Sequence, residues 1–284
     1  MSGKTPFHED LPGIAADNFE IATRSCRSCG EMHALWPYIR LARVSMGAPS
    51  SPLDTVLARL IADGRRSVLI AGSSDIGLLG LVARAGGGAE LDIVVLDRCP
   101  TPLESCRRLA RRWSLPISTL HQDLTELDLR DRFDIVLAHG TLRFISSDRL
   151  TDVLARLRRA LRPAGLFLLH VKNGRRIAGD LASRTREDYA DWVIAELERL
   201  GISLPEEQGA FAARLRVHAE NRERREGGFS TIEEVNALLT AAGFSVCQSL
   251  EIRVKLSDRM QQVATQLSQR RYILIAEASH LPSR

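Results

Sequence analysis

The sequence predicts a doubly wound α/β sheet of seven strands, and three observations carry that prediction. From residue 51 onward, short apolar runs alternate with charged amphipathic stretches, the pattern of parallel strands joined by helical crossovers. The first apolar run breaks at Gly72 and passes straight into a helical pattern in SVLIAGSSDIGLLGLVARA, residues 67–85. The last run, RYILIAEAS, follows its predecessor closely enough in the chain to pair antiparallel with it.

The elements follow in order. Residues 1–50 read as an N-terminal cap, with bulky apolar residues around Pro37 and the linker-like MGAPSSP behind them. Ser51 or Asp54 caps a helix that runs to about Asp63, where Gly64 ends it. A strand at 68–71, a helix at 76–85, the GGG turn at 86–88 and a strand at 91–97 make one right-handed crossover unit. An amphipathic helix at 102–113 precedes strands at 117–123 and 133–140, and a helix at 148–162 leads through RPAG to a strand at 166–171. Between 174 and 228 the strands stop and charged helical stretches such as REDYADWVIAELERL take over, which reads as a helical lid inserted into a domain spanning 51–284. The sheet resumes with a helix at 230–243, where Ser230 and Glu233 read as a capping box, and closes with strands at 244–254 and 271–279.

The totals narrow the function. A hydrophobic fraction of 44% supports a substantial core, and no run approaches a membrane-spanning length. The start MSGKTPFHEDLPG lacks the apolar centre of a signal peptide, so a cytoplasmic location is expected. Five cysteines, an odd number scattered over the chain, speak for reduced thiols rather than a disulfide framework. With a net charge of only +4 and 5% aromatics, no basic stripe suited to nucleic acid is present. A homodimer is compatible with the sequence.

Five parallel strands, then a helix, a strand and a last antiparallel strand, resemble the order in the class I S-adenosylmethionine-dependent methyltransferases, a Rossmann-like superfamily. SVLIAGSSDIG stands where that family has its glycine loop, IVVLDRCP where it has an acidic strand end, and LHQDLTEL where it has an adenine-contacting segment. FDIVLAHGTLRFI and LRRALRPAGLFLLHV are similar to its fourth strand, helix and fifth strand. The resemblance implies S-adenosyl-L-methionine as cofactor and a methyl acceptor that is an oxygen or nitrogen of a small, possibly anionic metabolite.

The resemblance also implies roles. Gly72 passes close to the amino-acid part of the cofactor, or simply makes the strand-to-helix turn. Ser73, Ser74 and Asp75 offer partners to its ammonium and carboxylate, or cap the next helix. Asp97, 25 residues after Gly72, is placed to accept from a ribose diol, with Arg98 and Cys99 beside the adenosine. Asp123 accepts from the adenine amino group or caps a helix, and Leu124 offers its backbone N–H. His139, closing the fourth strand, adjoins the cofactor and is the candidate general base, or is a structural histidine bonded to a neighbouring loop. Arg143, Lys172 and Arg175 gather near the strand ends and are candidates to orient an anionic substrate. The chain departs from the family pattern at Ile70, where an acid is usual, and at Ser74 and Ile76, where glycines are usual. A binding or regulatory protein on a degenerate methyltransferase fold is therefore the alternative reading.

One motif stands apart. CRSCGEMH sets Cys26, Cys29 and His33 as C-x2-C-x3-H, three soft ligands suited to a structural zinc ion, with His8 or His121 as the fourth. Ordinary packing and an exposed dithiol are the competing readings.

Overall fold

The computed structural model describes residues 11–26, 29, 32–44, 52–173, 180–224, 229–252 and 270–278. Its centre is a seven-stranded sheet in the order β3-β2-β1-β4-β5-β7-β6. The strands are β1 (Ser67–Ala71), β2 (Asp92–Asp97), β3 (Ile117–His121), β4 (Phe133–His139), β5 (Leu161–Asn173), β6 (Phe244–Glu251) and β7 (Arg270–Ala278). β1 to β5 pair in parallel, and β7 lies antiparallel between β5 and β6. The predicted seven strands and closing antiparallel strand are thus present.

Period-two alternation divides the core between the two faces of the sheet. On β1, Val68 and Ile70 face the same cluster as Val95, Ile135, Leu137 and Leu168. Leu69 and Ala71 face the other, with Val136, Ala138 and Phe167. Helices α3 (Pro52–Ala62), α4 (Gly77–Gly86) and α5 (Pro100–Trp113) cover the first face, and α6 (Leu150–Ala160) and α9 (Ile232–Ala241) the second. Their apolar residues recur every three or four positions, as in Leu53, Leu57 and Ile61 of α3, so each buries one stripe.

Two expected boundaries move. Thr231, not Ser230, is the N-cap of α9, its Oγ1 accepting from Glu234 N–H at 3.2 Å while Glu234 Oε2 accepts from Ser230 N–H at 2.9 Å. The predicted box is therefore displaced by one residue. β5 begins at Leu161 rather than 166, because Leu161 already pairs with Phe133 and the RPAG turn is absorbed as an irregularity, with Ala164 at φ +60°.

The N-terminal segment forms α1 (Leu11–Ser25) and α2 (Met32–Val44), and the 174–228 segment contributes α7 (Asp180–Arg199) and α8 (Gln208–Arg224). α2 sits between them. Tyr38 is buried edge-on against Phe19 of α1 at 6.3 Å and Phe211 of α8 at 5.4 Å. That burial pushes its phenol up to about 12. Pro37 lies inside α2, where proline denies the carbonyl of residue 33 its helical partner. The buried Asn18 of α1 supplies the missing donor, Nδ2 to His33 O at 2.7 Å. No helix among the described residues is long and apolar enough to cross a membrane.

Candidate functional site

The strand order reverses between β1 and β4, and in open α/β sheets ligands bind at the carboxyl ends of strands at such a point. A cavity of about 340 Å³ opens there. Gly72, Ser73 and Ser74 after β1, Asp97 and Arg98 at the end of β2, Asp123 and Leu124 after β3, and His139 at the end of β4 all line it. Met32 and His33 of α2 and Asn221 of α8 close it from the cap and the insertion.

Gly72 adopts φ +83°, and a Cβ there would come within 2.5 Å of Thr141 Cγ2. The loop therefore runs close against the chain beyond β4, which only glycine permits. Asp97 reaches across to hold it: Oδ2 accepts from Ser73 N–H at 2.9 Å and Oδ1 from Cys99 N–H at 2.7 Å. Burial raises the Asp97 carboxyl against the opposing effect of those two donors. Asp123 accepts from Thr125 N–H and Thr125 Oγ1, both on Oδ1, so it caps a short helical turn while still lining the cavity.

Asp75 takes the capping role. Its Oδ1 accepts from Gly77 N–H at 2.7 Å, its Oδ2 from Arg40 Nε at 2.7 Å, and only 6% of its side chain is exposed. Both oxygens are engaged and Asp75 is not among the cavity residues, which favours the helix cap of the two readings the sequence left open. Two departures in the loop also find their place. Ile76 is 1% exposed and packs in the core, so it does not narrow the loop, and Ile70 is fully buried on the strand. Ser74 turns its carbonyl to His33 Nδ1 at 2.9 Å.

His139 stacks on His170 of β5, ring centroids 3.9 Å apart. The His139 ring is open to the cavity but enclosed by protein, and burial, then Arg271, pulls it down to about 4. His170 is driven well below its ordinary value by burial, His139, Arg271 and Lys172. The sequence reading missed His170, which lies within β5 and pairs in register with His139 at the end of β4.

The remaining candidates are dispersed. Arg143 and Lys172 do not line the cavity: Arg143 lies over Phe144, and Lys172 pairs in register with Arg271. Arg175 lies outside the described residues, as does His8. Cys26, Cys29 and His33 do come together, but their fourth neighbour is Cys99. His121 instead directs Nε2 to Arg98 O at 3.0 Å. Hydrogen bonds from Cys26 and Cys29 drive the Cys99 thiol down. Burial opposes a charge on His33, but hydrogen bonds with Cys29 and Cys99 outweigh it and hold it up to about 10. Cys99 thus joins this cluster, and it is not among the residues that line the cavity.

Residues 68–165 match the family model described as a methyltransferase domain. Over those residues the chain is similar to the methyltransferase domain, and its sheet has the class I methyltransferase order. Its fold is similar to that of the Burkholderia thailandensis 1,6-didemethyltoxoflavin-N1-methyltransferase with bound S-adenosylhomocysteine, at 18% identity and TM-score 0.54 over 98% of this chain and 93% of that one. It is also similar to a possible exported protein from Bordetella parapertussis (15% identity, TM-score 0.52, 98% and 100% covered). A third is the Synechocystis magnesium protoporphyrin IX methyltransferase (14% identity, TM-score 0.50, 98% and 100% covered). No curated protein matches the sequence. In this chain the N-terminal segment and the 174–228 segment both reach the cavity, through Met32, His33 and Asn221.

Proposed function

We propose that the protein transfers a methyl group from S-adenosylmethionine to an oxygen or nitrogen of a small metabolite. One observation carries the reading: Asp97, the positive-φ Gly72 loop and His139, whose ring stacks on His170, line the same cavity. The donor set fits the cofactor. Each Asp97 oxygen accepts one backbone N–H and, as a carboxylate oxygen, retains a lone pair for a ribose hydroxyl. Gly72, Ser73 and Ser74 present main chain to the amino-acid end, and Asp123 and Leu124 the adenine end. The bound cofactor supplies an electrophilic methyl on its sulfonium.

The residues of the chain then do three things. The loop and Asp97 fix the donor, and Met32 and Asn221 narrow the space in which an acceptor lies and limit water. The neutral imidazole of His139 takes the proton that the acceptor heteroatom loses. Because the transfer is an in-line displacement, positioning contributes more than acid–base assistance.

Isothermal titration with S-adenosylhomocysteine tests the reading. Micromolar binding, weakened at least tenfold by Asp97→Ala, about 1.4 kcal/mol, is expected. No heat and no thermal shift in folded protein would instead favour a non-catalytic member of the fold, consistent with the carboxylate lost at Ile70.

A further inference from the structure

Four side chains of metal-ligating types from two separate parts of the chain converge beside the cavity. Cys26 follows α1, Cys29 lies in the turn, His33 is in the first turn of α2, and Cys99 stands two residues beyond Asp97. Their ligand atoms all lie within 4.8 Å of one another. His33 and Cys99 are each only 3% exposed. With a proton on Nδ1, His33 donates to Ser74 O at 2.9 Å, which leaves Nε2 to ligate a metal that displaces its proton.

Three thiols and one imidazole are the donor set of a closed tetrahedral zinc centre. A ligating histidine commonly gives its other N–H to a backbone carbonyl, which fixes the tautomer and the ring orientation, and Ser74 O fills that place here. We propose that Cys26, Cys29, His33 and Cys99 bind a structural zinc ion that locks the N-terminal cap onto the cofactor edge of the sheet. Four protein ligands complete the tetrahedron and leave no open position for water, so the ion holds structure rather than activating a nucleophile. It ties α1 and α2 to the residues that follow Asp97 and, through His33, to the glycine loop.

The test is metal content of the full chain, purified without chelator and without a polyhistidine tag. One zinc per chain is expected in the wild type and in Cys247→Ser, which removes an exposed thiol outside the cluster. Less than a tenth of that is expected in Cys99→Ala. Chelated wild type reloaded with cobalt(II) avoids any dependence on a variant's folding. It is expected to show the intense visible bands of tetrahedral cobalt together with sulfur-to-cobalt charge transfer. Folded wild type that takes up neither metal, a Cys26–Cys29 disulfide in place of metal, or a Cys99→Ala protein that keeps its zinc each overturns the proposal. The probe is the metal alone, so the result stands apart from any binding of S-adenosylmethionine.

Discussion

His139 and His170 stack with their planes 6° from parallel, held by the β4–β5 register that sets them side by side. Two charged imidazoles at 3.9 Å repel strongly, and Arg271 and Lys172 add positive field, opposed at His139 by Asp75. Both rings are therefore neutral at pH 7. With His139 at about 4, the acid limb of kcat/KM should fall near that pH rather than near the ordinary histidine value of about 6.5. Arg271→Gln should move it upward. A limb at the ordinary value in the wild type removes His139 as the base. Stability follows the same linkage. The unfolded chain binds more protons between the two values, so the melting temperature should drop as pH falls from about 6.5 toward 4. The double His139→Gln/His170→Gln variant should flatten that drop.

Asn18 and Pro37 should be energetically coupled. Asn18→Ala leaves the His33 carbonyl without its donor, at a cost of about 1–3 kcal/mol. Pro37→Ala restores a backbone N–H that can serve that carbonyl, so the same Asn18 change should cost less in its presence. Urea melts of the four proteins measure the coupling, expected at about 0.5 kcal/mol or more, and strict additivity would count against it.

The Arg40–Asp75 pair joins the cap to the glycine loop at 2.7 Å, with side chains 20% and 6% exposed. Arg40→Ala strands a buried carboxylate and should destabilise by about 3–5 kcal/mol. Adding Asp75→Asn should recover part of that loss. Calorimetry should show weaker S-adenosylhomocysteine binding in Arg40→Ala, because Asp75 also holds the start of α4 through Gly77 N–H. An unchanged melting temperature would mean that the pair contributes nothing.

At the opposite edge of the sheet, Asp134 accepts from Arg66 N–H at 2.8 Å, Ser67 N–H at 2.9 Å and Arg162 at 3.0 Å. Burial works to raise its carboxyl, but these donors outweigh it and bring it to about 2 from an ordinary 3.8. The stabilisation, about 2 kcal/mol, should be complete above pH 3.8 and disappear as pH falls through 2. Asp134→Asn should lower stability at pH 7 by that order while leaving S-adenosylhomocysteine affinity unchanged. Acid titration of the melting temperature checks the first point and calorimetry the second.

Much of the fold was legible because its signals are local. The alternation of apolar strands and amphipathic helices depends on period and composition alone, as do the glycine break at 72 and the strand-end acid at 97. Those same signals located Gly72, Asp97, Asp123 and His139 on one edge of the sheet, where the cavity lies. Side-chain direction was not legible. Asp75 reads equally as ligand partner or helix cap until α2 brings Arg40 to it, and Arg143 and Lys172 sit near the right strand ends but outside the cavity wall. The sequence by itself determined the order of strands and helices and the short C-x2-C-x3-H spacing, since both are set within a few residues of chain. Only the tertiary structure brought Cys99 to Cys26, Cys29 and His33, and His170 to His139. Such pairings arise from strand register and helix docking between distant segments, which no local pattern encodes.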